Sequence, residues 1–103
     1  MKVAQVIWTN EALSDLEIIY DFLAEKSPQA AQRIVEIILS RASQLESFPE
    51  SGARLDRIKF NKNDYRYLVE GNYKIIYTYR ILNRVVYIAT VFDTQFDPEK
   101  LVI

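Results

Sequence analysis

The sequence predicts an α+β domain of order β-α-α-β-β-β, with an antiparallel sheet packed on an N-terminal helical hairpin. Three observations predict it. Residues 10–45 carry apolar side chains at three- and four-residue steps, the period of a helix. Residues 65–92 carry runs of tyrosine, isoleucine and valine interrupted by Gly71-Asn72, the pattern of paired strands. The helical stretches precede these strands, apart from one short opening run. A length of 103 residues suits one domain, 1–103, with its own core.

Val3 to Trp8 is short, apolar and β-branched, which reads as a strand. Its apolar residues fall on both faces, so a covered strand is expected rather than an exposed edge. Thr9 or Asn10 can cap the next helix by accepting a bond from an unpaired backbone N–H. That helix is predicted over Asn10 to Glu25, with Ala12, Leu13, Leu16, Ile19, Tyr20 and Leu23 on its apolar stripe. Glu11, Asp15, Glu17, Asp21 and Glu25 fall on the opposite face. Ser27 can cap a second helix, and Pro28 suits its first position, where no N–H is needed. Ala31, Ile34, Val35, Ile38, Leu39, Ala42 and Leu45 form its stripe, and it should end near Phe48 before Pro49. The short connection predicts antiparallel neighbours.

After Pro49 the pattern changes. Ser51-Gly52 marks a turn, and Ala53 to Asp64 is basic and weakly periodic. Tyr65 to Val69 and Tyr73 to Arg80 flank Gly71-Asn72 as a hairpin. Tyr73, Ile75, Tyr77 and Tyr79 share one face; Lys74, Ile76, Thr78 and Arg80 share the other. Ile81 to Arg84 turns the chain into Val85 to Phe92, apolar enough for a central strand. In the tail, Asp97-Pro98 offers a further cap and first helical position.

Composition excludes much chemistry. With no cysteine there is no disulfide, thiolate nucleophile or cysteine-held metal. With no histidine there is no imidazole acid or base and no serine–histidine triad. Gly52 and Gly71 stand alone, so no phosphate-binding glycine loop can be written. Glu11 and Asp15, or Asp21 and Glu25, lie one helical turn apart. Acidic helix faces are common, so no metal site and no cofactor are expected. The start has neither a signal-peptide core nor a cleavage site, and no apolar run approaches the roughly 18 residues of a membrane helix. A soluble, cytoplasmic protein without membrane association is the expectation.

The net charge of −1 hides a division. Residues 1–50 hold four basic and eight acidic residues, a net of −4; residues 51–103 hold nine and six, a net of +3. Arg54, Arg57, Lys59, Lys62 and Arg66 are concentrated in one stretch, and Lys74, Arg80 and Arg84 follow. A single exposed cation is ordinarily solvated surface, but the cluster points to a binding surface for a polyanion or an acidic partner. Tyrosines among these cations can stack on bases, although tyrosine is also a favoured strand residue. Most are therefore assigned to packing.

Several residue groups carry a resemblance that spans nearly the whole chain. They are Trp8-Thr9 with Ala12 and Asp15-Leu16, the pair Ala30-Ala31, and Phe48-Pro49 through Gly52 and Arg54. Further on come Arg66, then Tyr73-Lys74-Ile75-Ile76-Tyr77, and Val91-Phe92-Asp93-Thr94 with Asp97-Pro98. In this order they resemble the RelE/ParE superfamily of bacterial toxins from type II toxin–antitoxin systems, the ParE-like plasmid-stabilisation branch best. The resemblance implies a cognate antitoxin as partner. It also implies one of two activities: RelE-like members are ribosome-dependent mRNA endoribonucleases, whereas ParE-like members inhibit DNA gyrase by binding. A third outcome is an antitoxin-binding relic without toxicity.

Lys74 stands where RelE-like nucleases carry a catalytic arginine, and 93–97 stands where they place further cations. Here that segment, Asp93-Thr94-Gln95-Phe96-Asp97, has none, although stabilising a scissile phosphate needs cations aimed at it. The Gln95-Phe96 pair also replaces an arginine common in ParE-like members. The expectation is a gyrase-directed, non-catalytic toxin. Its basic surface for target or antitoxin comprises Arg54, Arg57, Lys59, Arg66 and Lys74. If the chain is a nuclease, the candidates are Arg66, Lys74, Arg80 and Tyr87.

Overall fold

The computed structural model describes residues 2–55 and 64–95. Within them run β1 (Gln5–Trp8), α1 (Asn10–Ala24), α2 (Pro28–Ser43), β2 (Ala53–Arg54), β3 (Tyr65–Glu70), β4 (Tyr73–Arg80) and β5 (Val85–Asp93). The expected Asp97-Pro98 cap, and the candidates Arg57 and Lys59, lie outside the described residues.

The local signals act as their chemistry dictates. Thr9 caps α1, its hydroxyl accepting the Ala12 N–H at 3.2 Å. Ser27 caps α2 in the same way, accepting from Ala30 N–H at 3.1 Å, with Pro28 at the first helical position. The α-helical hydrogen bonding of α2 stops at Ser43 and continues as one 3-10 turn, Gln44–Glu46. Gly71 has φ +59, the left-handed value that the first position of a tight hairpin turn demands of a residue without Cβ. That turn pairs Glu70 with Tyr73 and sets the register of the β3–β4 ladder.

The five strands form one sheet in the order β1-β5-β4-β3-β2. The neighbours from β5 to β2 are antiparallel, whereas β1 joins β5 in parallel. The sheet is therefore mixed, and the expected fully antiparallel sheet is corrected at this strand. The expected covered position of β1 is also corrected, because β1 is an edge. The segment leading into it is tied to the 3-10 turn after α2: Val3 and Ala4 donate to the Glu46 carbonyl at 2.7 and 3.0 Å. The short strand β2 has no counterpart among the elements the sequence predicts. Its two residues are too few to show a period, and tertiary pairing with β3 alone creates it.

Both helices pack on one face of the sheet, α1 over β5 and α2 against β3. The core joins Leu16 and Ile19 of α1, Ile38 and Ala42 of α2, and Leu45 to Ile75, Tyr77, Val86, Ile88 and Val91 of the sheet. Opposite Ile76 and Tyr77, β5 carries one extra residue, since Tyr77 pairs with Ile88 and Ile76 with Thr90. This bulge at Ala89 resets the alternation, so Val86, Ile88 and Val91 all face the helices. Three expected stripe residues, Leu13, Tyr20 and Leu39, are exposed at 50%, 38% and 40%, because each lies at the border of its helix's apolar arc. Conversely, Asp15, assigned to the polar face, is buried at 7% exposure.

Candidate functional site

Register sorts the candidate residues onto the two faces of the sheet. Arg66 pairs with Tyr77 and so points to the helix side. There its guanidinium donates to the carbonyls of Glu50 at 3.2 Å and Gly52 at 2.9 Å, and approaches the Glu50 carboxylate at 3.8 Å. It braces the loop between α2 and β2. Arg54 is opposite Arg66 and pairs with the Asp64 carboxylate at 3.3 Å, both side chains being well exposed. Such a surface pair adds little stability and leaves the charges accessible.

Lys74 lies on the opposite face, which carries no helix among the described residues. Its ammonium sits over the Tyr67 ring, 4.4 Å from the centroid, a contact between a half-buried cation and an aromatic face. Arg80 is six residues further along β4, on the same face, and Tyr87 is there too. Tyr65, Thr78 and Tyr87 form one rank across β3, β4 and β5. The short Thr78 between two tyrosines forms part of a cleft of about 420 Å³, whose lining also includes Thr9, Arg80, Asn83 and Ala89. The Thr78 hydroxyl donates to the Asp64 carbonyl at 3.0 Å, which keeps its oxygen able to accept from a ligand.

The structure therefore brings Arg80 and Tyr87 together, sets Lys74 apart with Tyr67, and places Arg66 and Arg54 on the helix side. Of the cleft residues, Thr9, Thr78, Asn83 and Ala89 are not among the sequence candidates, and Tyr65 is there only as one of the tyrosines lying among the cations. The signal was present in the turn lengths: counting back from Gly71-Asn72 pairs Tyr65 with Thr78, and counting across Ile81–Arg84 pairs Thr78 with Tyr87. Among the described residues, no group of three acidic side chains is placed to hold a metal ion. No helix among them is long and apolar enough to cross a membrane.

The buried phenols give the site's flank a pH dependence. Burial raises the Tyr77 phenol above its ordinary 10.0, against the opposing pulls of the Gly52 N–H and Arg66; Glu50 adds to the rise. Burial, then Asp93, raises Tyr73 in the same direction. A folded-state value above the unfolded one means that this contribution is complete below about pH 10 and is lost as pH climbs through the folded values. Thermal melts from about pH 8 to about pH 12 should show a falling Tm in the upper part of that range. Tyr77→Phe should flatten that fall while losing about 1–3 kcal/mol at neutral pH, because the Gly52 N–H loses its acceptor at 2.9 Å. An alkaline fall of unchanged steepness in the variant contradicts the assignment.

Comparison with known proteins agrees with this architecture. The family model described as the ParE toxin of type II toxin–antitoxin system, parDE, matches residues 6–98. Toxin RelE2 of Caulobacter vibrioides is 44% identical over 50 residues, a stretch covering 48% of this chain and 57% of that relative. The chain thus matches little more than half the length of this curated relative. Among solved structures, the chromosomal ParDE toxin–antitoxin system from P. aeruginosa superposes with TM-score 0.70 at 20% identity, covering 88% of this chain and 96% of the other. The RelBE2 toxin–antitoxin complex from Mycobacterium tuberculosis gives 0.62 at 20% identity, covering 87% and 96%. At that identity the two structures speak for the fold, while the family model spans most of the sequence. The chain belongs to the ParE toxin family of type II toxin–antitoxin systems.

Proposed function

We propose that this toxin acts by binding and inhibiting DNA gyrase, without catalysing a reaction, and is held inactive by a cognate antitoxin. One observation carries the non-catalytic reading: the candidate cations Arg54, Arg66, Lys74 and Arg80 do not converge. Cleaving a phosphodiester requires cations aimed at one point, where charge develops on the phosphate. Arg66 is instead tied to two backbone carbonyls on the helix side. Lys74 and Arg80 share a face but stand six strand positions apart, roughly 20 Å at the rise of an extended chain. Arg54 is paired with Asp64 at the edge of the sheet. An antitoxin partner is supported by the structural neighbours, a ParDE toxin–antitoxin system and a RelBE2 toxin–antitoxin complex.

The test is a supercoiling assay with purified toxin, gyrase and relaxed plasmid. Inhibition that is reversed by the cognate antitoxin is expected. Growth arrest with undisturbed supercoiling overturns gyrase as target. A second reading, an mRNA endoribonuclease, is favoured by the meeting of Arg80 and Tyr87 in one cleft and by the stretch similar to Toxin RelE2. It predicts ribosome-dependent cleavage lost in Arg80→Ala. Primer extension on message from induced cells, if it shows no new 5′ ends, removes it. Normal growth on induction without antitoxin would instead mark a non-toxic relic.

A further inference from the structure

We infer that the tip of the β4–β5 hairpin is the surface that engages the toxin's protein target, and that it receives an acidic segment carrying an apolar side chain. This rests on the proposal that the toxin acts by binding a protein.

Leu82 is 98% exposed, and its neighbour Ile81 is 65% exposed. Both lie in the turn between β4 and β5, where glycine, asparagine, aspartate and serine are the usual occupants. Two adjacent aliphatic side chains in water contribute little to folding, and a partner surface gives them somewhere to be buried.

The tip is held rigid. The β4–β5 ladder continues to its last pair, Arg80 with Val85, immediately beside the turn. Arg84, at φ 55, donates its N–H to the Ile81 carbonyl at 3.3 Å. Its own carbonyl accepts Gln5 N–H at 2.9 Å, fastening the turn to β1. A surface already ordered loses less conformational entropy on binding than a mobile loop does.

Charge points to the partner's chemistry. Arg80 and Arg84 bracket the apolar pair, and neither makes an ion pair among the described residues. Asp64, which lines the recess beside the tip, is engaged by Arg54 at 3.3 Å. Carboxylates of a partner would meet two guanidinium groups able to bind them bidentately.

Shape completes the surface. The tip lines two recesses of about 420 and 320 Å³ that share Thr78, Arg80 and Asn83. In the larger one, Tyr65 and Tyr87 stand two strand spacings apart across Thr78, roughly 9.6 Å, so an apolar side chain can enter between them. Tyrosine and arginine are the residue types that most often anchor protein interfaces. A nucleic-acid strand would use the arginines but would leave Leu82 in water.

The experiment uses three variants of the full chain: Leu82→Ser, Leu82→Asp and Arg80→Glu. Each is scored for thermal melting, for co-purification with the cognate antitoxin, for growth arrest on induction and for inhibition in the supercoiling assay. Leu82 is fully exposed, so its variants should melt like wild type. They should retain antitoxin binding yet weaken target inhibition about 30-fold or more, with Leu82→Asp the worse because it repels an acidic partner. Arg80→Glu should also lose arrest. Undiminished arrest by both Leu82 variants overturns the inference. Arrest lost only in Arg80→Glu assigns the tip to a nucleic acid and overturns it too. Joint loss of arrest and antitoxin binding assigns it to the antitoxin, again against the inference. Wild-type chain that causes no arrest refutes the underlying toxin activity, and the tip assignment falls with it. Wild-type arrest without gyrase inhibition refutes only the choice of gyrase.

Discussion

Gly52→Ala should lower the unfolding free energy by about 2–3 kcal/mol and the Tm by about 10–20 °C, read from urea and thermal melts. An added Cβ at this position meets the Tyr77 hydroxyl at 2.6 Å, the Tyr77 ring at 2.7 Å and the Tyr67 carbonyl oxygen at 2.7 Å. None of the three can give way. The Tyr77 ring is fully buried in the core, and the Tyr67 carbonyl belongs to the β3 backbone. Moving the loop instead would disturb the Gly52 N–H bond to Tyr77 and the Arg66 bond to the Gly52 carbonyl, each 2.9 Å long. The double variant with Tyr77→Phe should show no rescue, because two of the three collisions remain. The same substitution at Gly71 serves as a contrast. Nothing lies within 4 Å there, so only the φ of +59 resists it, at about 1–2 kcal/mol. If Gly52→Ala melts within about 0.5 kcal/mol of wild type, the close approach is wrong.

That contrast also shows what a sequence reading can reach. Gly71 is legible, because Gly-Asn between two β-branched runs announces a tight hairpin through local backbone chemistry. Gly52 reads only as a turn residue. Its constraint comes from Tyr77, 25 residues away, and local pattern carries no information about that approach. The helices are legible for the same reason as Gly71. Thr9, Ser27 and Pro28 act within a few residues of themselves, and the stripes repeat at the helical period. Strand β1 is less so: its apolar residues on both faces suggested cover, and the parallel edge position follows from topology.

The candidate site divides along the same line. That Lys74 and Arg80 share a face, opposite Tyr77, follows from strand alternation. The Tyr65–Thr78–Tyr87 rank follows from two turn lengths, so the cleft's aromatic walls were within reach of the sequence. The separation of Arg66 from Lys74 was also within reach, since hairpin register sets them on opposite faces. What composition concealed was commitment. A basic cluster looks like one surface when charges are counted, yet Arg66 spends its guanidinium on the carbonyls of Glu50 and Gly52. The acidic face of α1 concealed a similar commitment at Asp15.

Asp15→Ala should cost about 3 kcal/mol of stability, although the substitution sits on a helix whose other carboxylates are surface decoration. Strand β1 pairs with β5 only from Val85 to Ile88, so Ala89 onward loses its neighbour on that side. The start of α1 covers the gap. The Thr9 hydroxyl donates to the Ile88 carbonyl at 2.7 Å, and the Asp15 carboxylate accepts the Val91 N–H at 3.0 Å and the Thr90 hydroxyl at 2.5 Å. All three Asp15, Thr90 and Val91 are buried, so removing the carboxylate strands two donors away from water. The same carboxylate holds α1 against the bulge that turns Val91 into the core. Asp15→Asn, which keeps one acceptor oxygen, should cost distinctly less, about 1 kcal/mol. Thr90→Val in the Asp15→Ala background should cost less than it does alone, because the donor it removes is already orphaned. Urea titrations of the four-member cycle measure that coupling, and strictly additive costs would show that the carboxylate does not hold this edge of β5.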